Sequence, residues 1–209
     1  MILESNFQDE YLAVLKEEKA FFRYSSVIVA KNQLQQIVGA IRVTSWDKNP
    51  HTIPLAKLFG NHLIDIPQLL STHKHVWHIG RFAIRKGFSD NGKLFKLLML
   101  YAISPIFRYS DGVLLAESDA HLLRVMQAMR IKAIPLSEGR EYIGSMTLPI
   151  LIAKEGLNDF LLNNVSIAFN IHLTEEVEGL PERVKKQPQL RNHPFGYFSA
   201  KSQCRTLHM

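Results

Sequence analysis

Val76-Trp77-His78-Ile79-Gly80-Arg81-Phe82-Ala83-Ile84, followed at once by Arg85-Lys86-Gly87-Phe88-Ser89-Asp90-Asn91-Gly92-Lys93, is the stretch on which the fold turns. The first segment is rich in β-branched and aromatic residues and has the length of a strand. The second holds two glycines and several helix-capping side chains, and it leads into a run from Lys93 to Ile103 that is apolar nearly all round and ends before Pro105. This is a strand, loop and helix unit. Free amides at a helix start carry partial positive charge, glycines let an anion approach the backbone, and Arg85, Lys86 and Lys93 add full charges, so a pyrophosphate would fit. The same residues also make an ordinary turn. Neither a P-loop ending nor a Gly-x-Gly-x-x-Gly run is present.

Working outward, Tyr24–Ala30 and Gln36–Thr44 flank the polar turn Lys31-Asn32-Gln33-Leu34-Gln35 and read as an antiparallel hairpin. Before them, Asn6 is expected to cap a helix that buries Phe7, Tyr11, Val14 and Leu15, with Glu17 and Glu18 towards the other face. Between hairpin and strand, Trp46–Asn61 reads as loop with a short helix near Leu55–Phe59. Downstream, Asp111–Glu117 reads as a buried strand. Ser118 or Asp119 caps a helix running to Arg130, and Lys132–Leu136 starts a strand. Tyr142–Ala153 reads as one long strand whose Pro149 requires an edge, bulge or splay. A helix to Asn164 and a strand over Val165–Leu173 follow. A folded body over residues 1–180 and an extended basic arm over 181–209 are expected.

The chain has 209 residues, 46% hydrophobic and 21% charged, which fits one ordinary globular domain, and the alternation of expected strands and helices makes its class α/β. No apolar run reaches the roughly 18 residues of a membrane span. The start, Met1-Ile-Leu-Glu-Ser-Asn, lacks the pattern of a secretory signal, and the single Cys204 has no internal partner, so a reducing cytoplasm is expected. The net charge of +6 equals the six basic residues from Arg183 onward, which meet no acid. The body is neutral, which argues against a nucleic-acid surface; its local basic excess, Arg81 to Lys96, points to an anion site.

The order of elements resembles the GNAT superfamily of N-acyltransferases. The resemblance implies a mixed, mainly antiparallel sheet with splayed central strands, flanked by helices. It also implies that the pantetheine of an acyl thioester lies in the opening beside Phe82, Ala83 and Ile84. The pyrophosphate would then rest on Arg85, Lys86, Gly87, Asn91, Gly92 and Lys93. The family's Gln/Arg-x-x-Gly-x-Gly/Ala loop is matched in part. Val76-Trp-His-Ile-Gly-Arg-Phe-Ala-Ile is similar to the Trp-Glu-x-x-Arg-Phe-Ala-Val segment of acyl-homoserine-lactone (autoinducer) synthases and N-acyl amino acid synthases. Gly39-Ala-Ile-Arg-Val-Thr and Gly144-Ser-Met-Thr resemble two further strands of that branch. Here His78 stands at the family's catalytic Glu, and of the N-terminal lactone-synthase set only Arg23 has a counterpart.

Transfer to an amine needs a proton acceptor, donors for an oxyanion and a proton for the departing thiolate. His78 and Glu117 are the candidate bases and Tyr142 the candidate donor. Each also reads as a structural residue: a satisfied strand histidine, a strand-end carboxylate, a core tyrosine. Arg42 and Arg81 on strands are either ligands of a carboxylated acceptor or struts paired with Asp65, Asp111 or Glu117. His73-x-His75-x-x-His78 fits zinc poorly because strand alternation puts His78 on the opposite face, so no metal is expected. The expected activity is transfer of an acyl group to a small amine, such as an amino acid, from acyl-CoA or an acyl carrier protein used as co-substrate, with no prosthetic group. The alternative is a non-catalytic acyl-CoA-binding module using its basic arm, with Phe195, Tyr197 and Phe198, to hold a partner.

Overall fold

The computed structural model describes residues 2–46, 53–60, 71, 73–90, 92–109, 111–142, 144–169 and 204–208. Its strands are β1 (Ser25–Lys31), β2 (Ile37–Trp46), β3 (His75–Ile84), β4 (Gly112–Asp119), β5 (Ile134–Pro135), β6 (Arg140–Tyr142), β7 (Ser145–Ala153) and β8 (Cys204–His208). They form one sheet in the order β5-β7-β4-β3-β2-β1-β8, with β6 also on β7. Among the described residues β3/β4 and β1/β8 run parallel and the other pairs are antiparallel. The mixed, mainly antiparallel architecture is the one expected.

The helices are α1 (Ile2–Phe21), α2 (Pro54–Phe59), α3 (Lys93–Ile103), α4 (Ala120–Ala128), α5 (Asn158–Asn163) and α6 (Val165–Phe169). Alternation along the strands divides the core in two. Ile41, Val43, Ile79, Leu114, Ala116, Ile150 and Ile152 pack on Leu94, Leu98, Met99 and Met126 of α3 and α4, with Phe160 of α5. On the other face Trp46, Val76, Val113, Leu115 and Leu151 pack on Leu55, Ala56 and Phe59 of α2. The all-round apolar character of α3 is met by burial of seven of its eleven residues.

Two features of this sheet position the site. β3 and β4 pair from His75↔Gly112 only as far as Ile79↔Ala116. Beyond that point β3 stays with β2 and β4 stays with β7, through Asp119↔Thr147, so the sheet splits between its central strands. At the split β3 carries a bulge: Ala40 pairs with Ala83 and Arg42 with Gly80, leaving Arg81 and Phe82 opposite Ile41 alone. Arg81 has φ +53°, the left-handed region that a residue with a Cβ enters at a cost of about 1–3 kcal/mol.

Three sequence expectations are corrected. α1 begins at Ile2, so Asn6 lies inside it, and two residues of its expected core face are open, Tyr11 at 58% and Leu15 at 36% exposure, while Val14 is half-buried and Glu17 is buried. The long strand from Tyr142 is a hairpin, β6 and β7, turned at Gly144 with φ +71°. Val165–Phe169 is helix where a strand was expected. Pro149 meets the expectation of a local edge: it pairs with Glu117 on the β4 side, and no residue of β5 or β6 pairs with it on the other. Its carbonyl accepts from Leu136 N on the outer side, so its missing donor faces the gap between β5 and β6. Of residues 181–209, Phe195, Tyr197 and Phe198 fall outside the described residues, whereas Cys204–His208 lies parallel to β1 as β8.

Candidate active site

Where the sheet splits, two cavities approach each other from opposite faces. One, of about 430 Å³, lies on the α3/α4 side and is walled by Ile41, Met99, Leu114, Leu122, Met126 and Ile152, with Phe82 and Ala83 along β3. The second, of about 300 Å³, lies under α1 and α2 and is lined by Val14, Glu17, Arg42, Pro54, Lys57 and Glu141. Gly80, Arg81, Glu117 and Tyr142 line both. The first cavity is apolar and the second is rich in charge, and the residues between them are those with acid, base or hydrogen-bonding chemistry.

Glu117 accepts a hydrogen bond from His78, Nε2 to Oε2 at 2.8 Å, between adjacent strands. His78 is fully buried, and its Nδ1 finds no partner among the described residues. An N–H placed on Nδ1 would be orphaned in the interior, so the ring is best written with its proton on Nε2, donating to the carboxylate. Glu117 presents its other oxygen, Oε1, with no partner among the described residues. The carboxylate faces the cavities and the imidazole stands behind it.

Tyr142, at the end of β6, is half-buried. Burial pushes its phenol above the ordinary tyrosine value, against an opposing hydrogen bond from Arg81, so the hydroxyl holds its proton at neutral pH. Ser145 and Thr147 of β7 stand beside it in the first cavity.

Arg42 and Arg81 are paired, but not with the acids the sequence suggested. Asp65 falls outside the described residues, Asp111 binds His75 at 2.9 Å, and Glu117 binds His78. The partners come from α1. Arg81 donates to Glu17 Oε1 at 2.6 Å and to Glu18 Oε1 at 2.7 Å, and Arg42 donates to Glu18 Oε1 at 2.6 Å with Glu17 at 3.8 Å. Burial opposes charge on Arg81, yet the Glu18 hydrogen bond and the Glu17 charge outweigh it and raise its pKa further. Arg42 is 2% exposed and its Nε has no partner among the described residues.

The end of β3, the loop after it and the first residue of α3 are mostly solvent-facing: Ile84, Arg85, Lys86, Gly87 and Lys93 are exposed. Gly87 (φ +82°) and Gly92 (φ +76°) use conformations that only glycine adopts freely, and open space surrounds Gly87. Asn91 lies outside the described residues. At the start of α3, the Asp90 carboxylate already accepts from Leu94 N at 2.6 Å, and Arg85 donates to Gln36 at 3.2 Å. A diphosphate here would therefore meet an acid at the helix start and rely on Lys86, Lys93 and the backbone of the glycines. His73 and His75 both bind Asp111, through its carbonyl and carboxylate, away from His78. No cluster able to hold a metal occurs among the described residues.

Sequence reasoning gave Glu17 and Glu18 no role beyond placing them towards the far face of the first helix. The available signal was the need of two strand arginines for buried acids.

Solved structures similar to this chain include acyl-homoserine lactone synthases. The CoA-dependent synthase BjaI, with SAM and isopentyl-CoA, shares 14% identity over 62% of this chain and 59% of that one, with a TM-score of 0.44. TofI in an apo form shares 17% over 63% and 70%, with a TM-score of 0.45. Escherichia coli ElaA shares 15% over 56% and 62%, with a TM-score of 0.38. This chain thus spans less than two thirds of BjaI. No family model matches the sequence, and no curated protein matches it.

Proposed function

We propose that the protein is an N-acyltransferase that moves an acyl group from a thioester to a small amine across the split between β3 and β4. The observation that carries this reading is that an apolar and a charged cavity, on opposite faces of the sheet, share Gly80, Arg81, Glu117 and Tyr142. A thioester donor would lie in the first, its acyl chain among Met99, Leu122 and Met126 and its pantetheine along Phe82 and Ala83. An amine acceptor would enter the second.

In this reading the amine nitrogen attacks the thioester carbonyl carbon, and the C–N bond forms as the carbonyl oxygen takes the negative charge. On the described residues no strand pairs with β3 beyond Ile79 on the β4 side, so backbone amides near Gly80 and the bulge are available to receive that oxyanion. Glu117 Oε1 takes the proton released by the nitrogen, and His78 keeps the carboxylate oriented. Collapse of the intermediate breaks the C–S bond, and the Tyr142 hydroxyl protonates the thiolate. Glu117, not His78, touches the acceptor. Coenzyme A and an acyl carrier protein both present pantetheine, and Lys86, Lys93 and Lys96 would attract either.

The test is thiol release from acyl-CoA and acyl-carrier thioesters of equal chain length, with a panel of amines and amino acids, the products read by mass spectrometry. Amine-dependent thiol release supports the proposal. Thioester binding without transfer to any amine would make the protein a binding module, and absence of both removes the proposal.

A further inference from the structure

Arg81 stands in the left-handed region at the position where β3 turns away from β4, and it is held by two side chains from outside its strand, Glu17 and Glu18 of α1. Glu17 and Phe21 are buried while Tyr11, Leu12 and Leu15 face solvent, so among the described side chains of α1 its acids and Phe21 make the main contact with the sheet. Arg42 on β2, facing Gly80 across the same bulge, is bound by the same two acids. Both strands that define the bulge are thus fastened to one pair of adjacent carboxylates.

We infer that Glu17 and Glu18 are positioning residues for acyl transfer: by pairing with Arg81 they hold the β3 bulge in the conformation that aims its backbone into the split. This rests on the acyltransferase reading for its kinetic readout, but the bulge itself can be followed without it. An arginine with free choice would leave the left-handed region, because its Cβ crowds the backbone there; two charge-assisted hydrogen bonds of 2.6–2.7 Å keep it in place. The acids need not touch either substrate to matter, since a displacement of about 1 Å in a reacting group costs roughly 100-fold in rate.

The test compares Arg81→Gly with Arg81→Ala in the Glu17→Gln/Glu18→Gln background. Glycine adopts the bulge conformation without help from α1, whereas alanine does not. The Glu17→Gln/Glu18→Gln protein should lose roughly 10- to 100-fold in kcat with KM for the thioester changed by less than about threefold. Adding Arg81→Gly should recover about tenfold or more over Arg81→Ala. If glycine and alanine behave alike, or if the acid-free protein loses only in KM for the amine, the inference is overturned. Amide chemical shifts and HN–Hα couplings of Gly80–Ala83 in the full chain read the bulge whether or not any amine is acylated. They should move in the acid-free protein and return with glycine; unmoved shifts overturn the inference even if transfer is detected. Should the acid-free protein fail to fold, the two Arg81 variants in the otherwise native chain make the same comparison, with only alanine displacing those shifts.

Discussion

In the proposed transfer, Glu117→Gln and His78→Gln separate the proton acceptor from the group that orients it. Glu117 lines both cavities with Oε1 unpartnered, and His78 is fully buried behind Oε2 at 2.8 Å. Glutamine at 117 keeps the shape and an acceptor oxygen for His78 but cannot take the amine's proton, so kcat should fall about 10²- to 10⁴-fold. The fold should be spared. Glutamine at 78 leaves the carboxylate in place but takes away a well-aligned donor. The expected cost is about 1–3 kcal/mol of stability, or a thermal midpoint lowered by about 2–4 °C for each kcal/mol in a chain of this size. Its kcat should fall only about tenfold, because misorientation is less damaging than loss of the base. The assay is thiol release with saturating amine, beside calorimetric melting of each variant. A His78→Gln protein that melts like wild type yet loses at least as much rate as Glu117→Gln would refute this division of roles and make the imidazole the base.

Tyr142→Phe should lower kcat about 10- to 100-fold while leaving thioester binding intact, measured by single-turnover thiol release against titration with a non-reactive thioether analogue. Met126→Trp, which fills the far wall of the apolar cavity, should shorten the longest acyl chain accepted, read as KM across a chain-length series. The Asp111 carboxyl is held below its ordinary value by His75 and by Lys74 N, so its contribution to stability is present above the unfolded carboxylate pKa and is lost as pH falls through the lowered folded one. The difference in melting temperature between wild type and Asp111→Asn should accordingly shrink as pH is lowered from about 6 to below 4; a constant gap would contradict the His75–Asp111 pairing.

The strand, loop and helix from His75 to Ile103, and the hairpin before it, were legible because strand alternation, turn residues and a terminating proline agree there within a few residues of one another. Three residues apart, His78 and Arg81 would face opposite sides of a regular strand, so bringing both to one site requires a bulge near Gly80, which β3 carries. What could not be read was set by partners far along the chain. Tyr11 and Leu15 have helical spacing, yet α1 is docked by the buried Glu17, an energetic choice that exists only once Arg42 and Arg81 stand on neighbouring strands. Tyr142–Ala153 has a continuous apolar tone, and only the left-handed Gly144 turns it into a hairpin. The parallel pairing of Cys204–His208 with β1 has no local signature, because it depends on an open sheet edge more than 170 residues upstream. For the site, residue types pointed to Glu117, His78 and Tyr142 individually; that Glu117 stands in front of His78 follows from the register of β3 on β4.

Because the two cavities open on opposite faces of the sheet, neither bound molecule need cross the path of the other. An enzyme built this way has no reason to park the acyl group on itself. Both reactants can be aboard together, in either sequence of arrival, and the spent thiol and the amide can leave by separate doors. Initial-rate plots at several fixed concentrations of one reactant should then converge on a common point instead of running parallel, and each product should inhibit most strongly against the reactant whose side of the sheet it shares.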